Sequence, residues 1–137
     1  LRSALLPLAT VLTPNSLEAR RLAHAAPDAG LADCARALAG LGCRYVLVTG
    51  THEPGAQVVN TLYGAGGVLR EDRWPRLAGE YHGSGCTLAA AIAAFLARGL
   101  AMEDAVKQAQ AYTWQTLQAG HQPGRGQHLP NRFFNAR

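Results

Sequence analysis

The hexapeptide His82-Gly83-Ser84-Gly85-Cys86-Thr87, followed at once by the alanine-rich run Leu88 to Arg98, constrains this chain more than any other stretch. Glycines on either side of Ser84 permit a sharp turn, and the alanines that follow favour a helix. A turn delivered straight into a helix start leaves backbone N–H groups converging without intrahelical partners. The helix dipole adds to their preference for an anion. Gly83, Ser84 and Gly85 are therefore a candidate anion hole. The same turn carries a thiol where thiolate is favoured, which makes Cys86 a candidate proton acceptor, nucleophile or phosphate neighbour. The pattern is not a P-loop, because the Gly-Lys-Ser/Thr ending is missing, and it lacks the third glycine of the dinucleotide fingerprint. Glycines ahead of a helix usually make only a turn. Cys86 and Thr87 shift the balance toward chemistry, since a buried structural cysteine has no use for a glycine nest before it.

The rest of the chain supplies a frame for such a site. Leu8 to Leu12 reads as a short buried strand stopped by Thr13-Pro14-Asn15. A helix is expected from Ser16 to Ala25, with Asn15 as N-cap and Glu18 at its third position. A second helix, Ala29 to Ala39, ends at Gly40. Tyr45 to Thr49 is a nearly continuous apolar strand of the kind buried in a parallel sheet. Gln57 to Tyr63 and Gly67 to Trp74 form a hairpin around Gly64-Ala65-Gly66. In the helix after the glycine turn, Leu88, Ile92, Phe95 and Leu96 make an apolar stripe, and Ala89, Ala90, Ala93 and Ala94 would let neighbours approach closely. A last helix runs from Met102 to Ala119, with Gln108, Gln115 and Gln118 mostly on its solvated face, and the tail to Arg137 reads as irregular. This order predicts an α/β layer with at least two parallel strands, whose ligands gather at the carboxyl ends of strands. Three polar clusters fall in such places: Asn15 to Glu18, Thr49 to His52 and Gly83 to Thr87.

Composition narrows the function. Forty-eight per cent of residues are hydrophobic and 16% charged, and no linker-like shift divides the 137 residues, so residues 1–137 read as a single domain. The net charge of +4 comes from basic residues scattered singly, with no run that alternates with aromatics. That argues against nucleic acid and suits a positive site for a phosphorylated metabolite. Three cysteines without CxxC spacing indicate neither a disulfide framework nor a zinc site, and a reducing cytoplasm is expected. No run reaches the ~18 apolar residues that cross a bilayer. Leu1 to Leu12 is short, contains Pro7 and lacks a cleavage site, so it is not read as a signal peptide. The opening leucine points to a numbering that does not begin at a natural start.

Asn15 and Glu18 admit two readings. An N-cap with a capping box explains both without a ligand. Alternatively, the amide and carboxylate hold Mg2+, directly or through water, near nucleotide phosphates. His52 and His82 flank the proposed rim and read as surface or supporting histidines.

Thr13-Pro14-Asn15-Ser16-Leu17-Glu18-Ala19, followed much later by His82-Gly83-Ser84-Gly85-Cys86-Thr87-Leu88, resembles the hydroxymethylpyrimidine and phosphomethylpyrimidine kinases of thiamine synthesis, within the ribokinase superfamily. The likeness continues through Val46 to His52, Asn60 to Tyr63 and the two closing helices. It implies a ribokinase-like three-layer α/β/α fold with a partly parallel sheet, of which this chain is the C-terminal, nucleotide-binding portion. It implies ATP as co-substrate, Mg2+ as cofactor, a small pyrimidine as acceptor and a homodimer. Residue by residue, Gly83, Ser84, Gly85 and Cys86 would meet the transferring phosphoryl group, with Cys86 in the catalytic position where ribokinases proper keep an aspartate. Asn15 and Glu18 would organise magnesium and phosphate, and Thr49, Gly50 and Thr87 would border the nucleotide.

Two departures stand beside the likeness. Thr49 occupies a place where many members have a lysine, so one cationic phosphate contact is either missing or replaced by an arginine. Such kinases are also roughly twice this length. The alternatives are a vitamin B6 (pyridoxal) kinase using the same site, a noncatalytic nucleotide-binding or assembly fragment, and a cysteine acyl-transfer enzyme. The last is disfavoured because no histidine is placed by sequence as a partner for Cys86.

Overall fold

A computed structural model describes residues 3–136. Leu1 and Arg2 of the apolar N-terminal stretch, and Arg137 of the tail, lie outside the described residues. The chain divides into two compact units, Leu1–Arg76 and Leu77–Arg137.

The first unit is a four-stranded sheet in the order β1-β2-β3-β4 with two helices. β1 (Val11–Leu12) runs parallel to β2 (Tyr45–Thr49), while β3 (Gln57–Gly64) and β4 (Gly67–Pro75) continue it antiparallel. The expected strand from Leu8 is thus much shorter, because Pro7 opens a 3₁₀ turn at Leu6–Leu8 and extended backbone resumes only afterwards. β2 matches its expected span, and Val46, Leu47 and Val48 are all buried, as a continuous apolar run requires. The hairpin closes on the two residues Ala65 and Gly66, with a register shift between Leu62 and Tyr63.

Helices α1 (Ser16–Ala23) and α2 (Leu31–Ala39) both pack on β2. α1 stops short of Ala25 because His24 adopts a left-handed conformation (φ 53°) and its N–H turns back to the Arg20 and Arg21 carbonyls. α2 begins at Leu31, with Gly30 rather than Ala29 at its cap. Leu6, Ala19, Cys34, Ala35, Leu38, Cys43, Val46 and Val48 form the core of this unit. Each large aliphatic among them contributes roughly 1.5–3 kcal/mol relative to exposure.

The second unit is a helix pair with a small ribbon. α3 (Ser84–Ala97) packs on α4 (Met102–Gln118). Helical spacing puts Leu88, Ala91 and Ile92 in the contact, with Phe95 and Leu96 half-buried at its margin. Ala89, Ala90, Ala93 and Ala94 face outward instead of toward α4, because they lie off that stripe. α4 answers with Ala105, Val106, Ala109, Gln110, Thr113 and Thr116, all buried, while Gln108, Gln115 and Gln118 are exposed as expected. The stretch after α4 is more organised than an irregular tail. His121 pairs with Leu129 and Tyr81 with His128, so the approach to α3 is stitched to residues about forty-five positions later.

Among the described residues, no helix is long and apolar enough to cross a membrane.

Candidate functional site

In the first unit the parallel pairing of β1 and β2 brings two of the polar clusters to one sheet end. The Thr49 N–H donates to the Pro14 carbonyl at 2.9 Å, and Asn15 and Thr49 form an isolated parallel bridge. Asn15 caps α1: its Oδ1 accepts from the Glu18 N–H at 2.9 Å, and Glu18 Oε2 accepts from the Asn15 N–H at 2.9 Å. The capping box is therefore complete. Both side chains have one oxygen committed to backbone, and Glu18 keeps Oε1 for another partner. An open groove of about 350 Å³ lies against this turn, lined by Leu12, Thr13, Pro14, Glu18, Arg21 and Leu22.

This donor set fits magnesium only in its hydrated form. Among the described residues no three His, Cys, Asp or Glu side chains gather as a metal cage. Mg2+ commonly retains several waters and takes one or two carboxylates plus substrate phosphates. Glu18 would offer one such carboxylate.

Gly50 follows Thr49 with no space for a side chain, since a Cβ there would stand 2.4 Å from the Val59 carbonyl oxygen. Its N–H donates to Asn60 Oδ1 at 3.1 Å, which explains a buried amide in the middle of β3. The loop beyond is tied down on two sides. Arg20 of α1 grips Glu53 with Nη1 at 2.7 Å and Nη2 at 3.2 Å while its Nε donates to the Ala29 carbonyl. Arg76 donates to three carbonyls of the same loop. The Arg20 hydrogen bonds hold the Glu53 carboxyl below its usual range, and the neighbouring Ser16 hydroxyl acts in the same direction. Ser16 Oγ is fully buried.

In the second unit the third cluster forms the start of α3. Gly83 is the N-cap in a left-handed conformation (φ 88°, ψ 7°), and no side chain caps the helix. The first helical hydrogen bond is from the Thr87 N–H to the Gly83 carbonyl at 3.0 Å. The N–H groups of Ser84, Gly85 and Cys86 precede it and are the unpaired donors of a helix start. Cys86 is exposed and free.

Thr87 is buried. Its hydroxyl donates to the Gly83 carbonyl at 2.8 Å and accepts from Arg132 Nε at 3.0 Å. The guanidinium thus reaches the glycine turn, with Nη2 only 3.1 Å from where a Gly83 Cβ would stand. Arg132 is held there by its own backbone: its carbonyl accepts from Tyr112 Oη at 2.8 Å, and the preceding Asn131 N–H donates to the Thr116 carbonyl. His82 is exposed, and its backbone N–H donates to the His128 carbonyl. His52 is exposed as well.

The structure thus brings Asn15, Glu18, Thr49 and Gly50 together in one unit, and Gly83, Ser84, Gly85, Cys86 and Thr87 together in the other. Arg20, Glu53, Arg76 and Arg132 were not singled out by sequence. Each takes a partner that lies far along the chain or on the backbone, so no local spacing marks it. The one available hint was Thr49 in a lysine's place, which left a cationic contact either missing or taken over by an arginine.

Comparison with known proteins adds independent findings. The family model described as phosphomethylpyrimidine kinase matches residues 1–131. A hydroxymethylpyrimidine/phosphomethylpyrimidine kinase of Rhizobium meliloti is 38% identical over 84% of this chain and 44% of its own length. The thiamine biosynthesis bifunctional protein of Geobacter sulfurreducens is 35% identical over 99% of this chain and 28% of its own length. The structure of the Staphylococcus aureus pyridoxal kinase in complex with ADP superposes with a TM-score of 0.89 at 25% identity, covering 99% of this chain and 52% of that one. This likeness supports the ribokinase-like expectation for the fold. The chain spans about half the length of that structure and less than half of the two curated relatives.

Proposed function

Since the chain belongs to the phosphomethylpyrimidine kinase family, we propose that it carries the nucleotide side of an ATP-dependent kinase for hydroxymethylpyrimidine and its monophosphate. The observation that carries this reading is the uncapped first turn of α3, with Cys86 in it, inside the matched region.

Phosphoryl transfer asks chiefly for positioning and charge stabilisation. The bond between the terminal phosphorus and the ADP oxygen breaks while a bond from phosphorus to the acceptor oxygen forms. In this reading the Ser84, Gly85 and Cys86 N–H groups receive the oxygens of the transferring group, and the Arg132 guanidinium adds positive charge beside them. Thr49 and Gly50 border the nucleotide. Magnesium, when bound, neutralises charge on the phosphates, and Glu18 Oε1 with Asn15 at the same turn would hold it through water. An alcohol acceptor must lose a proton, for which Cys86 Sγ is the assigned acceptor. A phosphomonoester acceptor needs no such step. Three free cysteines suit a reducing cytoplasm.

The test is ADP release from ATP, magnesium and hydroxymethylpyrimidine phosphate, with calorimetric titration of ATP on the same sample. Turnover supports the kinase reading. Binding without turnover favours a nucleotide-binding module, and absence of both sinks the proposal for this chain. The likeness to a pyridoxal kinase favours one second reading, a vitamin B6 kinase. Pyridoxal offered as competitor separates the two: phosphorylation of pyridoxal in preference to the pyrimidine would select the second.

A further inference from the structure

Arg76, just past β4, spends its whole fork on one loop. Nε donates to the Gly55 carbonyl at 2.8 Å, Nη1 to the Thr51 carbonyl at 2.7 Å and Nη2 to the Glu53 carbonyl at 2.7 Å. Its backbone N–H donates to the Ala56 carbonyl at 3.0 Å. A surface guanidinium ordinarily pairs with a carboxylate, and Arg73 nearby does so with Glu71 at 2.6 Å. Arg76 instead makes charge-assisted bonds to alternate carbonyls of a loop that would otherwise present them to water.

That loop begins directly after Thr49 and Gly50. On its sheet side both are fixed, Thr49 by the Pro14 carbonyl and Gly50 by Asn60. On the helix side Arg20 holds the Glu53 side chain. Arg76 supplies the remaining constraint, on the backbone itself.

We propose that Arg76 is a positioning residue for nucleotide binding: by fixing the carbonyls of residues 51, 53 and 55 it holds Thr49 and Gly50 in their binding geometry before ligand arrives. The inference rests on the kinase reading. Its physical content is that a loop ordered in advance spares the ordering cost on binding, roughly two- to thirteenfold in affinity for each side chain that would otherwise be immobilised. Lysine cannot replace the fork, because an ammonium is a point charge without three fixed donor directions.

The experiment is calorimetric titration of ADP into the 137-residue chain, with amide hydrogen exchange over residues 51–56 on the same samples, for wild type, Arg76→Ala, Arg76→Lys and Arg73→Ala. Arg76→Ala is expected to weaken ADP about tenfold and to speed exchange in the loop. Arg76→Lys should recover part of the affinity, and Arg73→Ala should leave both readouts unchanged. ADP affinity within about twofold of wild type in Arg76→Ala overturns the proposal, as does an equal loss in Arg73→Ala. If Arg76→Ala does not fold, Arg76→Gln carries the same test with the same limits. A wild-type chain that binds no ADP overturns the kinase reading and this proposal together. Binding by wild type with no effect of Arg76 overturns this proposal alone.

Discussion

Cys86 differs from the other two cysteines in access. Cys34 is buried, and Cys43 is buried with its Sγ donating to the Leu6 carbonyl at 3.2 Å, burial that pushes its thiol up from the ordinary range. A small alkylating reagent should therefore modify a single thiol in the native protein and none in Cys86→Ala, as mass spectrometry would register. Modification of Cys34 or Cys43 at a similar rate would contradict the buried assignments. In an active enzyme containing this chain, Cys86→Ala should lower turnover of the alcohol substrate roughly a hundredfold and leave ADP affinity unaltered. An undiminished rate with the alcohol removes Cys86 from the mechanism. Gly83 is constrained twice, by its positive φ and by Arg132. Gly83→Ala should cost about 1–2 kcal/mol, measurable by urea denaturation. At this scale the sequence was informative wherever the partner is close. Asn15 and Glu18 stand three apart, and their capping box forms as the spacing required. Arg132 and Thr87 are separated by 45 residues, and Arg76 binds backbone atoms that any residue type would supply.

Between residue and molecule, α1 separates two roles that its sequence left open. Asn15→Ala removes the cap and should destabilise by about 1 kcal/mol. Glu18→Gln keeps an oxygen for the Asn15 N–H, so its stability should change less than that of Asn15→Ala. A shifted magnesium requirement in Glu18→Gln would favour the metal role, and an unaltered magnesium titration would leave only the cap. The loop after β2 carries a pH dependence with a definite sign. Arg20 depresses the Glu53 carboxyl in the folded state, so its contribution is full above the unfolded-state value of about 4.3. It is lost as pH falls through the lowered folded value. The stability gap between wild type and Glu53→Gln should accordingly be present at neutral pH and shrink under strong acid. A gap that widens on acidification would contradict the pairing. Elements with a strong internal period were legible: β2 from its unbroken apolar run, the hairpin from its glycines, and α4 from its helical repeat. β1 was overextended because apolar character alone does not distinguish a strand from the 3₁₀ turn that Pro7 starts. The β4 edge also reads clearly in retrospect. Arg70 with Asp72 and Glu71 with Arg73 pair two residues apart along one strand, placing charge of both signs on its two faces.

Among the described residues each unit buries apolar side chains of its own, under the sheet in the first and between α3 and α4 in the second. Leu38 is fully buried in the first, and Leu38→Ala should cost about 2–5 kcal/mol by denaturant titration. A change under about 0.5 kcal/mol would mean that this core is not the one described. The division into two units after Arg76 lies in which apolar residues meet, since both sides use the same ones. Family membership was legible for a different reason: the Thr13 to Ala19 and His82 to Leu88 motifs lie close to backbone turns that tolerate few alternatives. The ribbon that joins Tyr81 to His128, and the bond from Arg132 to Thr87, also set an order in time. A ribosome adding about 5–20 residues per second releases Thr87 roughly two to nine seconds before it reaches Arg132, so during synthesis the glycine turn emerges first and must wait, without its arginine, for a partner not yet made.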